Sequence, residues 1–544
     1  MADWAAPSLV LLSLLVSHAK YYRYPLWSSE MLLCAGVLLL AGTGFCLLAL
    51  VRRETLYPLG LGLLILIFLD VQLHLFVRAL GGAVWVSPLL AVPVLLALFF
   101  AFMLLIFALR SEIGRIAAAA WGVIFLATLL LPSERVPAGV MIDQQVQPRQ
   151  DLPMVLHLVL DEHIGVAGIP ADLPGGTAVQ RHLVERLVDD GFTLYGRAFS
   201  QYAESQLALA SLVNGQAFSA QPEYVVPAAS GYTITRNDWL RSLAQEGYSV
   251  RVYQSSYIDF CRAEGFSADY CFVYPANSIS VLRSFELTAW SKARLILPRL
   301  FEGTFDFFPS KPQLTTLASP AILDRVAQDM DRRPRGSAFF VHLIWPHYAY
   351  AFDAQCALRP AVGTWANVGD IGSWRAEDFN SESERESKYA LYFQQVRCVI
   401  KSLDDLLEQM RRRGSLADAL IVIHGDHGSR LATRNFRNVD PSAFSRQDMV
   451  DHFSALMAIR LPQAREEAGS SRESPSLGGE DDPPEAARGI YVDRQESIQE
   501  IFAREVLNRP LQGEAGKVFV TGGGAETLLS RPMVELPQAD LPQQ

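Results

Sequence analysis

Long apolar segments dominate the first 131 residues of the chain. Met31–Val51, Leu56–Val77 and Val84–Leu109 each reach the length of about 20 residues that crosses a hydrocarbon core of about 30 Å. Ile116–Leu131 is shorter but strongly apolar. Pro7–His18 is shorter still, and it has neither the basic start nor the small-residue cleavage site of a signal peptide. The pattern predicts a bundle of about five transmembrane helices within residues 1–131.

Between residues 151 and 530, apolar runs of strand length alternate with amphipathic stretches of helical period. Strands are predicted at Met154–Leu160, Phe192–Ala198, Tyr248–Tyr253, Ala338–Leu343, Ala419–His424, Phe453–Leu461 and Lys517–Val520. Helices are predicted at Ala178–Asp189, Asp238–Gln245, Ile322–Met330, Lys388–Arg412 and Arg494–Leu507. This alternation is typical of a doubly wound α/β sheet. We expect a polar linker at 132–150, a disordered insertion near 463–488 and a loose tail at 531–544.

The distribution of charge indicates where the second part of the chain lies. The formal net charge of -10 and the lack of a basic stripe exclude a general nucleic-acid binder. With five crossings and an inner N-terminus, the inner loops carry more basic residues (Arg52, Arg53, Arg110 and Arg115) than the outer loops (Lys20, Arg23 and Arg78). Because basic loops stay on the cytoplasmic side, the C-terminal domain is predicted to lie outside the cytoplasm. Asp70 and His74 fall inside an apolar segment, where they face either the bundle interior or an interface.

Four cysteines occur in the soluble part: Cys261, Cys271, Cys356 and Cys398. No CxxC spacing indicates a zinc site among them. An even number outside the cytoplasm predicts two disulfides. Cys261–Cys271 is the natural local pair and leaves Cys356–Cys398, although four cysteines allow three connectivities.

The most specific chemical signal is the end of the strand that begins near Ala419. This apolar run leads directly into Gly425-Asp426-His427-Gly428. Ligand sites in open α/β sheets collect at the carboxyl ends of strands, and glycines allow a sharp turn and a close approach there. Asp with His suits Zn²⁺ or Mn²⁺ when further oxygen ligands join. A polar turn after a strand would show the same residues.

Other predicted strand ends carry comparable residues. Asp161 and Glu162 follow Met154–Leu160, where a helix N-cap is the alternative reading. His342 lies on the strand Ala338–Leu343 and His347 follows it, and both are compatible with ordinary structural histidines. Ser205 lies at the start of a short apolar helix. The positive end of the helix dipole there can stabilise an anion, and the alternative interpretation is that the hydroxyl only caps the helix.

Together, and in this order, these segments resemble the sulfatase-like branch of the alkaline phosphatase superfamily. With about five membrane helices ahead of such a domain, the layout is similar to phosphoethanolamine transferases, phosphoglycerol transferases and lipoteichoic acid synthases. The resemblance implies an alkaline phosphatase/sulfatase-like doubly wound mixed sheet in a bacterial plasma-membrane protein, with the C-terminal domain in the periplasm or outside.

The resemblance also implies roles for individual residues. Asp161 or Glu162, with Asp161 favoured, would join Asp426 and His427 in holding one divalent ion, Zn²⁺ or Mn²⁺. Ser205 would complete that shell and act as the nucleophile, with Ser200 and Ser211 as alternative nucleophiles. His347 would hold the phosphate or protonate the leaving group, and His342 and Arg430 are further substrate-binding candidates.

The implied function is metal-dependent transfer of a phospho-head group from a membrane phospholipid to an envelope lipid or glycan through a covalent seryl intermediate. A metal-dependent phosphodiesterase or phosphatase and a non-catalytic envelope protein are the alternatives. Ser205 is followed by Gln206-Leu207-Ala208-Leu209 and not by the Pro and Arg of a formylglycine setting, which argues against sulfate-ester hydrolysis by that route. The oligomeric state is open.

Overall fold

The computed structural model describes residues 2–73, 99–132, 138–144, 146–228, 231–275, 278–301, 314–365, 378–437, 441–462, 488–521 and 528–539. Within these residues the chain forms two compact units. The first unit contains residues 1–136, 278–313 and 360–367, and the second contains residues 137–277, 314–359 and 368–544. The expected insertion near 463–488 lies almost wholly outside the described residues, as do His74 and the side chain of Asp70.

Six described helices form the first unit: α1 (Ala2–Tyr21), α2 (Ser29–Arg52), α3 (Leu56–Leu73), α4 (Phe99–Ala108), α5 (Ile113–Leu130) and α9 (Ala289–Arg299). α1 packs against both α5 and α2, and α9 packs against α2. Among the described residues, α2 and α5 are the two helices long and apolar enough to cross a membrane by length and composition. Five crossings are therefore not shown, and the predicted segment Val84–Leu109 is described only from Phe99.

The second unit contains seven described helices and sixteen strands. The helices are α6 (Gly176–Asp189), α7 (Ser205–Asn214), α8 (Asp238–Glu246), α10 (Ser319–Arg332), α11 (Glu382–Arg412), α12 (Arg446–Phe453) and α13 (Ile498–Glu505). The strands are β1 (Gly139–Asp143), β2 (Val155–Leu160), β3 (Thr193–Phe199), β4 (Val225–Ala228), β5 (Gly231–Ile234), β6 (Ser249–Ser255), β7 (Ile258–Asp259), β8 (Arg262–Ala263), β9 (Phe266–Ser267), β10 (Tyr270–Tyr274), β11 (Ser337–Leu343), β12 (Leu420–Gly425), β13 (Met457–Arg460), β14 (Ile490–Ser497), β15 (Lys517–Thr521) and β16 (Leu528–Pro532).

A large mixed sheet organises the second unit. Its nine strands run in the order β1-β10-β6-β11-β2-β12-β13-β3-β14. β2 lies between β11 and β12 and is parallel to both, whereas β1 and β13 pair antiparallel with their neighbours. Every residue of β2, β11 and β12 is buried, as expected for central strands covered on both faces. The predicted mixed α/β sheet is confirmed.

Several element boundaries differ from the predictions. Residues 139–143 of the expected linker form β1, which pairs with β10. Lys517–Thr521 pairs with β16 in a separate hairpin outside the main sheet. The first part of the predicted helix Arg494–Leu507 belongs to strand β14, which pairs with β3, and helix α13 begins at Ile498. The predicted strand Phe453–Leu461 shortens to β13 because Phe453 ends α12. For β1 and β14, long-range pairing overrides the local pattern.

Two further features concern the chain end and the cysteines. The described part of the predicted loose tail is ordered, since Leu536 is buried and its backbone N–H donates to Gln495 Oε1 at 2.7 Å. Cys261 is bonded to Cys271 and Cys356 to Cys398, which confirms the predicted pairing. The second disulfide joins the loop after β11 to helix α11.

Candidate active site

Three central strands end at the same edge of the sheet. Leu160, the last residue of β2, is in register with Leu343 at the end of β11 and with Gly425 at the end of β12. The residues that follow β2 and β12 therefore emerge side by side. This register brings Asp161 and Glu162 next to Asp426 and His427, although about 265 residues separate the two pairs along the chain.

Three carboxylates are buried at this edge. Asp426 Oδ1 accepts hydrogen bonds from the backbone N–H groups of Glu162 at 3.0 Å and His427 at 2.9 Å. In contrast, Asp426 Oδ2, Asp161 Oδ1 and Glu162 Oε2 have no hydrogen-bond partner among the described residues. Buried charged oxygens without donors are costly, so these atoms require a cation or a proton.

His427 has one ring nitrogen available for such a cation. Its Nδ1 lies 2.9 Å from the carbonyl oxygen of Gly428, which makes Nδ1 the protonated nitrogen. Its Nε2 faces the carboxylates, 3.3 Å from Asp426 Oδ2 and 3.7 Å from Asp161 Oδ1. Burial, with a further contribution from Arg430, lowers the pKa of His427 well below its usual value. The neutral ring is thus oriented as metal-binding histidines are, with a backbone carbonyl behind it.

His342, predicted as a substrate-binding candidate, lies in the same group. It is fully buried, its Nε2 lies 3.7 Å from Asp161 Oδ2, and neither ring nitrogen has a hydrogen-bond partner in the part of the chain that the structure describes. Ligand atoms of His342, Asp161 and Asp426 all lie within 4.8 Å of one another. This position follows from the register, which pairs His342 on β11 with Val159 on β2, one residue before the shared edge.

Ser205 is the predicted nucleophile that the fold brings to this group. It is the first residue of α7, it is buried, and its Oγ lies 3.2 Å from His427 Nε2. Because His427 carries its proton on Nδ1, the serine hydroxyl donates this hydrogen bond. The two alternative nucleophiles have other surroundings: Ser200 Oγ accepts from Gln499 Nε2 at 3.4 Å, and Ser211 lies inside α7.

Glu162, His347 and Arg430 form a second cluster beside the first. Glu162 Oε1 lies 3.4 Å from His347 Nε2 and 3.5 Å from Arg430 Nη1. Arg430 also donates to the carbonyl oxygen of Ala203 from Nη2 at 2.7 Å and from Nε at 3.1 Å, which ties it to the segment just before Ser205. Both alternative carboxylates after β2 therefore lie in the site. Asp161 faces His427, and Glu162 faces His347.

The protonation of this second cluster is shifted by its environment. Burial is the main cause that raises the pKa of Glu162 well above its usual value; Arg430 opposes this effect, and Asp161 and Asp426 add to it. Burial lowers the pKa of His347, whose Nδ1 is bonded to the carbonyl oxygen of Tyr348. Both shifts favour the neutral forms, a protonated Glu162 beside an unprotonated His347, whose Nε2 lies 3.4 Å from Glu162 Oε1.

A buried ion pair that the sequence did not reveal supports the Gly425–Arg430 loop. Arg385 donates to both carboxylate oxygens of Asp451, at 2.7 and 3.1 Å. Tyr389 donates to Asp451 at 2.6 Å and bonds Ser429 at 2.8 Å, and the backbone carbonyl of Asp451 accepts from Arg430 N at 3.1 Å. The predicted helix Lys388–Arg412 did not include Arg385, which joins it because the observed helix α11 begins at Glu382.

Gln395 on α11 holds the loop that carries His347. Its Nε2 donates to the carbonyl oxygens of Pro346 and His347, both at 2.9 Å, and its Oε1 accepts from the backbone N–H of Phe352 at 3.2 Å. The side chain is fully buried. This residue was also missed, because nothing in the local pattern distinguishes it from other helix glutamines.

The donor set fits a divalent cation. Asp161, Asp426 and His342 supply buried oxygen and nitrogen atoms that have no hydrogen-bond partner among the described residues. His427 Nε2 and the Ser205 Oγ that contacts it at 3.2 Å lie beside them. Among the described residues, Arg430 is the cation that pairs with a carboxylate at this edge, with Nη1 3.5 Å from Glu162 Oε1, so negative charge exceeds positive charge there. Mixed oxygen and imidazole ligands are those that Zn²⁺ and Mn²⁺ accept.

Comparison with known proteins gives likenesses at the level of structure. No protein-family model matches the chain, and no curated protein matches it. The zinc complex of the C-terminal periplasmic domain of EcEptC from Escherichia coli aligns with a TM-score of 0.41 and 11% identity over 74% of this chain and 98% of that chain. The phosphonate monoester hydrolase of Agrobacterium radiobacter aligns with a TM-score of 0.39 and 16% identity over 68% of this chain and 76% of that chain. The putative sulfatase yidJ from Bacteroides fragilis aligns with a TM-score of 0.33 and 14% identity over 59% of this chain and 70% of that chain.

The similar structures thus include a phosphonate monoester hydrolase, a putative sulfatase and a periplasmic domain in complex with zinc, each less than 25% identical to this chain. All three TM-scores lie below 0.5. The roles of individual residues therefore rest on the geometry of this chain alone.

Proposed function

We propose that the chain is a membrane-anchored, metal-dependent enzyme that transfers a phospho-head group from a phospholipid to an envelope lipid or glycan. One observation carries the proposal: Ser205 Oγ lies at the start of a helix and 3.2 Å from His427 Nε2, beside carboxylate oxygens that lack partners. A hydroxyl nucleophile, an anion-stabilising helix end and a cation site then share one edge of the sheet. The nucleophile can attack phosphorus, and the helix end and a cation can stabilise the charge on the transferring group.

The residues of the chain account for a two-step transfer. In the first step, Ser205 Oγ bonds to phosphorus and the bond from phosphorus to the diacylglycerol oxygen breaks, while the hydroxyl proton leaves Ser205 and one proton joins the leaving oxygen. In the second step, an acceptor hydroxyl attacks the same phosphorus, the Oγ–P bond breaks and Ser205 regains a proton. A divalent ion, when bound, would neutralise phosphate charge and lower the pKa of an adjacent hydroxyl.

Two further groups have roles in this scheme. A proton on Glu162, whose Oε1 lies 3.4 Å from His347 Nε2, can pass to the leaving oxygen through this pair. Arg430 is held by Ala203 next to the nucleophile, so its guanidinium can bind a phosphate oxygen. His347 is the more accessible member of the pair, with 13% of its side chain exposed against 0% for Glu162.

The membrane location is part of the proposal. α2 and α5 support it by length and composition, and the two disulfides support a domain outside the cytoplasm of a bacterial cell. An enzyme anchored in the plasma membrane has its phospholipid donor within reach at the bilayer surface. This physical proximity is why a lipid donor is preferred over a soluble one.

Mass spectrometry of the purified protein tests the proposal. After incubation with phosphatidylethanolamine or phosphatidylglycerol and a divalent ion, the peptide that contains Ser205 should gain the mass of the corresponding phospho-head group. The same treatment of Ser205→Ala should give no adduct. An adduct that water alone removes would indicate a hydrolase, and a wild-type protein that turns over neither lipid and forms no adduct would contradict the proposal.

A further inference from the structure

A segment of the chain leaves the second unit after β10 and joins the helices of the first. Residues 278–313 belong to the first unit, although β10 before them and α10 after them belong to the second. We call the described part, residues 278–301, the excursion. It contains a short 3₁₀ helix, Ile279–Ser284, followed by α9, which packs against α2. Neither element was predicted from the sequence.

The excursion lies at one defined end of the helices. The charge of Lys292 acts on Glu30 at the start of α2, and the charge of Arg299 acts on His18 at the end of α1. Lys20, also at the end of α1, donates to the carbonyl oxygen of Thr128 near the end of α5, at 2.6 Å. The excursion therefore lies at the end where the chain leaves α5, which the predicted orientation assigns to the non-cytoplasmic side.

The face of α9 that points away from the other helices combines an aromatic ring with a basic side chain. Ala293, Ile296 and Arg299 are buried, whereas Trp290 is 56% exposed and Arg294, four residues later, is also exposed. Residues four apart share a helix face. Trp27 in the turn between α1 and α2 is 82% exposed. Exposed Trp with Arg at the end of membrane helices is the composition of a membrane–water interface.

We propose that α9 is an interfacial helix whose Trp290–Arg294 face lies in the phospholipid head-group layer, with Arg294 binding lipid phosphate. This inference rests on the membrane location given under the proposed function. The indole of Trp290 suits the boundary between acyl chains and head groups, and the Arg294 guanidinium matches two oxygens of a phosphate. The excursion thereby gives the first unit a phospholipid contact on the side where the donor lipid is available.

Site-specific fluorescence quenching tests this contact in the full-length protein. Trp290→Cys is made with Cys34→Ser and Cys46→Ser, because the other four cysteines are in disulfides, and is labelled with an environment-sensitive dye. The protein is reconstituted in nanodiscs of phosphatidylethanolamine and phosphatidylglycerol that carry a nitroxide either on the head group or deep in the acyl chain. Val123→Cys on α5, 69% exposed, is the control for a lipid-facing position, and Arg412→Cys, 75% exposed on α11, is the control for water.

We expect the head-group nitroxide to quench the dye at position 290 at least twice as strongly as the deep one, with the reverse order at position 123. No quenching at 290 with normal quenching at 123 would overturn the interfacial helix and leave the membrane bundle standing. A blue-shifted but unquenched dye at 290 would overturn it in favour of a protein partner over this face. No quenching at 123 would overturn the crossing by α5 itself.

A kinetic comparison tests the phosphate contact separately. A basic residue near an anionic bilayer contributes about five-fold in binding. Arg294→Gln should therefore raise the KM for donor phospholipid in vesicles about five-fold. Its kcat and its hydrolysis of soluble bis(p-nitrophenyl) phosphate should be unchanged. The control variant Arg412→Gln should change none of these three quantities. An equal KM in Arg294→Gln and wild type would overturn the phosphate contact. A wild-type protein inactive on both substrates would contradict the proposed function instead, and the quenching result would still decide the interfacial helix.

Discussion

The buried pair Arg385–Asp451 offers the sharpest test of how the site loop is supported. Asp451 is completely buried and Arg385 nearly so, with 0% and 5% of their side chains exposed, and two short hydrogen bonds join them. Arg385→Met keeps the length and apolar volume of the side chain but leaves the carboxylate without its cation. Removing one partner of a buried pair costs about 3–5 kcal/mol in the free energy of unfolding.

The loss should depend on pH in a defined direction. Burial already raises the pKa of Asp451, and Arg385 opposes that effect, so the Met variant should raise this pKa further. A group whose pKa is higher in the folded state than in the unfolded state stabilises the fold at pH values below its unfolded pKa. That stabilisation is lost as the pH rises from the unfolded pKa through the folded pKa. The difference between variant and wild type should therefore be small near pH 4 and grow by about 1.4 kcal/mol per pH unit until the folded pKa is passed.

Urea unfolding of the detergent-solubilised protein at pH values from 4 to 8, followed by tryptophan fluorescence, measures this difference. Arg488→Met is the matched control, because Arg488 pairs with Asp189 at 3.2 Å on the surface, with 62% and 52% of the side chains exposed. An exposed pair contributes at most about 1 kcal/mol. A loss in Arg385→Met that is no larger than in Arg488→Met, or that does not change with pH, would refute the argument that burial makes this pair essential.

Three shorter predictions concern the site and the cysteines. Asp426→Ala should lose nearly one equivalent of divalent metal by elemental analysis, and equal metal in wild type and variant would contradict the metal site. Ser205→Ala should lower turnover by several orders of magnitude in a lipid-transfer assay while keeping most of the metal, whereas Ser205→Thr should stay active because it retains the hydroxyl. Mass mapping after alkylation without reductant should find the four cysteines of the second unit blocked, and free thiols in fresh membranes would contradict the disulfides.

The carboxyl ends of the central strands could be predicted from the sequence with good accuracy. Fully buried parallel strands appear as short apolar runs, so the predicted strands that precede Asp161 and Asp426 match β2 and β12 within a residue or two. Their polar residues had to emerge at strand ends, because a charge inside such a strand would be desolvated without a partner. The same reasoning placed Ser205 at a helix start, where the structure has it.

Tertiary structure alone decided which of these residues meet. Whether His342 faces Asp161 depends on the register of β11 against β2, and a shift by one residue would turn its side chain to the other face of the sheet. The contact of Arg385 with Asp451 joins positions 66 residues apart, and α9 packs against α2 more than 230 residues before it in the chain. Local patterns record the period and burial of one element at a time. Contacts across such distances are set by how elements pack against each other, which is why the sequence determined the strand ends of this protein and only the fold assembled them into a site.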